Sequence, residues 1–222
     1  MVPAAVLFDM DGLLLDTERV YRALWYEAAE RHGIPPASVG YERFIGLAAK
    51  ECYRLLSMEH PGVDVAAFRQ HIATGFQARL LAGDIPQRPG VATILAALSE
   101  AGVRRAVVTS TIRSLALKKL EISGLLDRFE GVTGGDEVEH TKPAPDLYLL
   151  GARRLGLDPR NCVALEDSPT GMRAALAAGC RAIMIPDLAG PPSGADWTVV
   201  QDLPSAIPLI LRLSSAPEQA IP

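Results

Sequence analysis

The chain alternates between short apolar segments and longer segments in which apolar residues recur every three or four positions. Residues 6–9 form a short apolar run that is followed by Gly12, which predicts a buried strand ending in a turn. Residues 17–83 have helical spacing instead, most clearly in 19–33 and 65–83, and show no convincing strand pattern. A helical insertion is therefore predicted directly after the first strand.

Beyond a linker at residues 83–90, which carries two prolines and two glycines, strand and helix patterns follow each other in turn. Such alternation predicts parallel strands joined by right-handed crossovers. The predicted fold class is an α/β doubly wound parallel sheet, formed by residues 1–16 and 84–222, with a helical domain at 17–83. The predicted strands after the linker are 104–109, 129–135, 162–167, 181–185 and 197–200, and the predicted helices are 91–102, 112–122, 145–156, 170–179 and 203–213.

Composition and charge narrow the classes of function. The 222 residues are 49% hydrophobic, which is enough to bury a full core. The 22 basic and 26 acidic residues give a net charge of −4 and form no basic block, so no nucleic-acid partner is expected. No uncharged apolar run approaches the ~20 residues that span a bilayer, and the N-terminus lacks the positive start of a signal peptide. The three cysteines have no CxxC spacing and indicate reduced thiols. Together these features predict a soluble cytoplasmic protein with no membrane partner.

Polar residues collect just after the predicted strands, where ligands bind in an open parallel sheet. Clustered carboxylates repel each other, so a cation is expected in such a site. Oxygen ligands favour Mg²⁺ over Zn²⁺, for which the sequence offers no His/Cys set, and Mg²⁺ in turn suggests a phosphate substrate. The strand-end residues are Asp9, Asp11, Thr109, Ser110, Thr111, Lys142, Glu166 and Asp167.

These residue types suit phosphoryl transfer. A hydroxyl and the next amide at a strand-to-helix turn, as at Thr109 and Ser110, can hold phosphate oxygens, although the same hydroxyls can simply cap the next helix. The ammonium of Lys142 can offset the charge of a carboxylate and a phosphate together. Asp9 can attack phosphorus, and Asp11 can protonate the leaving oxygen and then deprotonate water.

Four segments, DMDGLLLDTE, VVTST, TKPAPD and LEDSPTG, resemble the four motifs of the haloacid dehalogenase-like (HAD) superfamily in order and approximate spacing. The resemblance is to its β-phosphoglucomutase-like branch and covers nearly the whole chain. It implies a Rossmann-like core in which Asp9 is the nucleophile, Asp11 is the general acid-base, Thr109 and Ser110 hold the phosphoryl group, and Lys142 is the lysine of the third motif. The implied Mg²⁺ ligands are Asp9, Asp11 through its backbone carbonyl, Asp167 and Glu166.

The resemblance also implies that the helical insertion is a cap that closes over the site. Gly46 falls where the family has its substrate loop, and Tyr21 is a candidate pocket residue. β-Phosphoglucomutases carry a histidine where Tyr21 stands here and an arginine where Ala49 stands, and both of those groups bind a second phosphate. These departures favour hydrolysis, and the acid at Asp11 argues against a dehalogenase.

The sequence therefore predicts a monomeric, Mg²⁺-dependent phosphatase that acts through an aspartyl-phosphate on a small phosphorylated metabolite, with a sugar phosphate as the favoured class. A phosphomutase and a non-catalytic sensor of a phosphorylated ligand are the alternatives. Residues 134–138 read GGDEV, similar to the signature of diguanylate cyclases. No antiparallel hairpin pattern surrounds that string, so we interpret the similarity as a coincidence.

Overall fold

The computed structural model describes residues 3–44, 49–188 and 190–212. The chain divides into two compact units, one formed by Met1–Leu14 with Gln87–Pro222 and the other by Leu15–Pro86. The first unit therefore consists of two separate stretches of sequence, and the second unit is inserted between them.

Within the described residues, the first unit contains a six-stranded parallel sheet with the strand order β3-β2-β1-β4-β5-β6. The central strand β1 is buried along its whole length, and its Phe8 is in register with Val107 of β2 and Leu165 of β4. The order reverses at β1, where an open α/β sheet has its ligand-binding crevice. The strands are β1 Ala5–Phe8, β2 Arg104–Val108, β3 Val132–Thr133, β4 Cys162–Glu166, β5 Arg181–Met184 and β6 Thr198–Val199.

Helices cover both faces of this sheet. Alternate strand residues such as Leu7 and Val108 pack with α7 and α8 in one apolar core. On the opposite face, Arg105 of β2 donates a hydrogen bond to the carbonyl of Leu95 in α5 at 2.9 Å. The predicted α/β doubly wound fold is thus confirmed. The helices of this unit are α5 Val91–Glu100, α6 Arg113–Ile122, α7 Asp146–Arg154, α8 Pro169–Ala177 and α9 Leu203–Arg212.

The regular structure described in the second unit is helical. Its core is an aromatic cluster in which the Trp25 ring lies 4.9–5.9 Å from the rings of Tyr41, Phe44, Tyr53 and Phe68. Aromatic side chains bury large areas, which lets a small helical unit form its own core. Its helices are α1 Thr17–Arg31, α2 Pro36–Val39, α3 Ala49–Glu59 and α4 Val65–Ala82, with a 3₁₀ turn at Tyr41–Phe44.

Local sequence signals explain where the longest of these helices begins and ends. The side chain of Asp64 accepts a hydrogen bond from the backbone N–H of Ala67 at 3.0 Å, which caps the start of α4, and Gly83 ends it with φ +77°. The spacing within residues 19–33 and 65–83 predicts α1 and α4, which the structure contains, but it does not predict α3. Within the described parts of the chain, no helix combines the length and apolar character needed to cross a membrane.

Candidate active site

A single ammonium group joins the ends of the three central strands. Lys142 Nζ donates to Asp9 Oδ1 at 2.5 Å, to the carbonyl of Val108 at 3.0 Å and to Glu166 Oε1 at 2.6 Å. Asp9 directly follows β1 and is only 7% exposed, and its backbone N–H still pairs with the carbonyl of Leu165 in β4. Residues that the sequence places far apart therefore meet at the carboxyl edge of the sheet.

The carboxylates of this site carry more negative charge than the lysine can balance. Burial raises the pKa of Asp9 from 3.8 to about 7, although the charge of Lys142 acts against this rise. Burial likewise raises the pKa of Asp167 well above its usual range, and the charges of Asp9 and Glu166 raise it further. Burial alone favours a neutral Lys142, but the charges of Asp9 and Glu166 prevail and raise the pKa of this ammonium. The site therefore attracts a further cation.

The donor set fits a hard divalent cation such as Mg²⁺. Asp9, Glu166 and Asp167 each offer a carboxylate oxygen, and these oxygens lie within 4.8 Å of one another. Oxygen donors are those that Mg²⁺ prefers. Gly12, with φ +86°, passes so close to Asp167 that a Cβ there would lie 2.1 Å from Asp167 Oδ2. The backbone of Gly12 thus leaves room for this carboxylate, which a side chain would displace.

Glu166 is fully buried, and hydrogen bonds hold its carboxylate in place. Its Oε1 accepts hydrogen bonds from Lys142 and, at 2.5 Å, from the hydroxyl of Tyr148. Its carboxyl group packs against the start of α8, where the Ser168 hydroxyl caps the helix by accepting a hydrogen bond from the N–H of Gly171 at 3.1 Å. A Cβ at Gly171 would lie 1.9–2.1 Å from the carboxyl atoms of Glu166. Position 171 therefore requires glycine.

The variant Gly171→Ala tests this packing. The added methyl group must displace the Glu166 carboxylate or α8, so we expect a loss of about 1–3 kcal/mol in the free energy of unfolding, typical of overpacking. Urea unfolding measures the loss. Gly131→Ala is the matched control, because nothing lies within 4 Å of a Cβ at Gly131 and its φ is not positive. Equal stabilities of the two variants would contradict the packing argument.

The side chain of Asp11 is bonded to residues outside the group of Asp9, Glu166 and Asp167. Its Oδ2 accepts a hydrogen bond from the Thr111 hydroxyl at 2.7 Å, and its Oδ1 accepts one from Lys119 Nζ at 2.6 Å. The side chain of Asp11 is 26% exposed. The structure therefore places the carboxylate of Asp11 against the segment that leads from β2 into α6.

The turn after β2 has the form expected of an anion site. Thr109 is buried, and its hydroxyl accepts a hydrogen bond from the N–H of Thr111 at 3.1 Å, while Ser110 is exposed. The N–H of Arg113, in the first turn of α6, is bonded to the Asp136 carboxylate at 2.6 Å. Thr109 and Ser110 thus precede a helix N-terminus, a position that favours anions.

The GGDEV string supports this same turn. A Cβ at Gly134 would lie 2.4 Å from the N atom of Arg113, and one at Gly135 would lie 2.2 Å from the carbonyl oxygen of Ser110. Asp136 caps α6, and Glu137 forms a salt bridge with Arg154 at 2.8 Å. The string therefore packs against the start of α6, beside the candidate phosphate turn.

The two candidate residues in the helical unit are placed differently from each other. Tyr21 lies on α1, and its ring stacks on Phe76 of α4 at 4.5 Å with an interplanar angle of 8°. Gly46 lies outside the described residues.

The sequence did not predict two side chains that contact the site. The Tyr148 hydroxyl binds Glu166, and the Lys119 ammonium binds Asp11. Both belong to helices, where their spacing indicates only a packed or a solvated face.

Known proteins resemble this chain in sequence and in fold. A family model described as haloacid dehalogenase-like hydrolase matches residues 3–179. Hexitol phosphatase A of Escherichia coli strain K12 is 38% identical over 81% of each chain, and the protein CbbY of Rhodobacter capsulatus is 31% identical over 98% of this chain and 97% of its own. A crystal structure of a HAD family hydrolase from Deinococcus radiodurans R1, with bound phosphate and sodium, is 29% identical with a TM-score of 0.79 and covers 97% of this chain and 100% of its own.

The family match spans most of the chain and includes every residue of the carboxylate group and the lysine beside it. Both named relatives exceed 30% identity over most of this sequence. The chain belongs to the haloacid dehalogenase-like hydrolases, a family of enzymes.

Proposed function

We propose that the protein is a Mg²⁺-dependent phosphatase that hydrolyses a small phosphate monoester through an aspartyl-phosphate on Asp9. The observation that carries this proposal is the buried carboxylate of Asp9, which lies 2.5 Å from Lys142 Nζ and belongs to a group of three carboxylates. This arrangement supplies a nucleophile, a fixed cation and a metal-binding donor set in one crevice.

In the proposed reaction, an Asp9 carboxylate oxygen attacks phosphorus while the bond to the leaving oxygen breaks. Asp11 gives its proton to that oxygen and then takes one from the water that attacks the aspartyl-phosphate, which restores Asp9 and releases inorganic phosphate. Thr109 and the amide of Ser110 hold the phosphoryl oxygens, and Lys142 balances charge throughout. A bound Mg²⁺, held by Asp9, Asp167, Glu166 and the backbone carbonyl of Asp11, would supply electrostatic stabilisation of the phosphoryl group.

The favoured substrate class is a phosphorylated sugar or sugar alcohol. Hexitol phosphatase A, named for such substrates, is 38% identical to this chain. We propose that the unit Leu15–Pro86 is a cap that covers the site during the reaction and that Tyr21 contributes to its substrate pocket. Position 21 carries an aromatic residue, stacked on Phe76, and not a cationic group that could bind a second phosphate, which supports hydrolysis over mutase activity.

A phosphate-release assay tests the proposal. The full chain is incubated with hexose phosphates, hexitol phosphates, nucleoside monophosphates and phosphoglycolate, with Mg²⁺ or with EDTA. We expect release of inorganic phosphate from at least one sugar or sugar-alcohol phosphate, and we expect EDTA to abolish it because three carboxylates then face only one ammonium.

The same incubations separate the alternatives. Conversion of a sugar 1-phosphate into its 6-phosphate only when a sugar bisphosphate is present would indicate a mutase. Binding of phosphate esters without turnover under any of these conditions would indicate a sensor. Activity that persists unchanged in EDTA would contradict the role of the metal.

A further inference from the structure

Lys119 is a lysine in an unusual place. It lies in the last turn of α6 on the face directed toward the core, between the buried residues Ala116 and Leu120, and it is only 2% exposed. Lysines are rarely buried unless they are paired, because removing an ammonium from water is costly. Its neighbour Lys118 shows the usual behaviour, since it is half exposed and pairs with Glu121 on the surface. The burial of Lys119 therefore requires an explanation.

The explanation that the geometry offers is Asp11. Lys119 Nζ lies 2.6 Å from Asp11 Oδ1, while the Thr111 hydroxyl binds the other oxygen at 2.7 Å. The N–H of Thr111 is in turn bonded to the hydroxyl of Thr109. Both oxygens of the Asp11 carboxylate are thus fixed by the one segment that also forms the candidate phosphate turn.

The position of this carboxylate matters for the proposed reaction. Asp11 lies between β1 and the turn at Gly12, outside β1 and the helices, and its side chain is 26% exposed. A group that transfers protons must lie within hydrogen-bond reach of the leaving oxygen, and a displacement of about 1 Å can cost on the order of 10²-fold in rate. A hydrogen bond from the buried Lys119 ammonium can keep the Asp11 carboxylate in one position.

We propose that Lys119 is a positioning residue for Asp11: its buried ammonium holds the Asp11 carboxylate beside the phosphate turn, where it serves as general acid and base. This inference rests on the proposed function, and it adds a residue outside the four motifs. The contact that carries this inference is the one from Lys119 Nζ to Asp11 Oδ1, so we expect the effect of Lys119 on the reaction to pass through Asp11.

The test compares two leaving groups in the first half-reaction. Phosphoryl transfer from a sugar phosphate expels an alkoxide, which needs a proton from Asp11, whereas p-nitrophenyl phosphate expels a stable phenolate, which does not. We expect Lys119→Met to lower the single-turnover rate with the sugar phosphate by about 10- to 100-fold. The rate of the p-nitrophenol burst should fall by less than about threefold. The KM for the sugar phosphate is expected to change by less than about threefold. Lys118→Met is the matched control and is expected to behave as the wild type with both substrates.

A double-mutant cycle with Asp11→Asn completes the experiment. If Lys119 acts through Asp11, Lys119→Met lowers the rate by less than about twofold when Asp11 is already replaced. Lys119→Leu, which likewise removes the donor to Asp11, provides the same comparison if the methionine variant does not fold. Equal losses with both leaving groups, or an undiminished effect in the Asp11→Asn background, would show a merely structural role and overturn the inference alone. A wild-type protein that hydrolyses no phosphate ester would overturn the proposed function as well.

Discussion

Asp9→Asn is expected to abolish turnover, with a fall in kcat on the order of 10⁶-fold, the scale of removing the nucleophile in covalent catalysis. Asparagine has almost the shape of aspartate, but its amide cannot form the acyl-phosphate bond. Phosphate release measured over long incubations at high enzyme concentration gives the residual rate. A variant within about tenfold of the wild type would be incompatible with Asp9 as nucleophile.

Measuring the stability of Asp9→Asn distinguishes a loss of catalysis from a loss of folding. Burial raises the pKa of Asp9 from 3.8 to about 7, so between these values the folded protein binds more protons than the unfolded chain. The contribution of Asp9 to stability is therefore fully present below pH 4 and is lost as the pH rises to about 7. Asparagine does not ionise, so metal-free Asp9→Asn should have a higher Tm than the wild type at pH 8. The two Tm values should converge toward pH 4.

The sequence predicted the contacts that depend on topology. Parallel strands bring their carboxyl ends to one edge, so the residues after β1, β2 and β4 had to lie together once those strands were recognised. Asp9, which follows β1, and Asp167, which follows β4, belong to one carboxylate group for this reason. The short apolar runs were sufficient because a strand buried on both faces needs no alternating pattern.

The sequence could not predict contacts that depend on which way a helical side chain points. Lys119 and Lys118 are adjacent and chemically identical, yet one is buried against Asp11 and the other is exposed. The helix α6 has apolar residues on much of its surface, so its pattern did not mark position 119 as inward-facing. Likewise, the need for glycine at position 171 depends on the Glu166 carboxylate, which only the packed structure places there.

Lys142→Met is expected to be among the most destabilising single substitutions in this protein. Methionine fills a similar volume, but Asp9 and Glu166 would then be buried without their common cation. Removing one partner of a buried ion pair costs about 3–5 kcal/mol. A loss of this size lowers the Tm by roughly 10 °C for a chain of 222 residues. We also expect kcat to fall by about 10²- to 10³-fold, the size of loss seen when one group that stabilises transition-state charge is removed. Added Mg²⁺ should restore part of the stability.

The double variant Lys142→Met/Glu166→Gln shows whether uncompensated charge is the cause. The glutamine carbonyl can still accept the hydrogen bond from the Tyr148 hydroxyl, while the group loses one negative charge. We therefore expect the double variant to be more stable than Lys142→Met but no more active, because stability depends on the charge balance and the reaction on the ammonium itself. Thermal unfolding and phosphate release measure the two effects separately. A double variant that unfolds at the same temperature as Lys142→Met would mean that lost packing, not unbalanced charge, destabilises the protein.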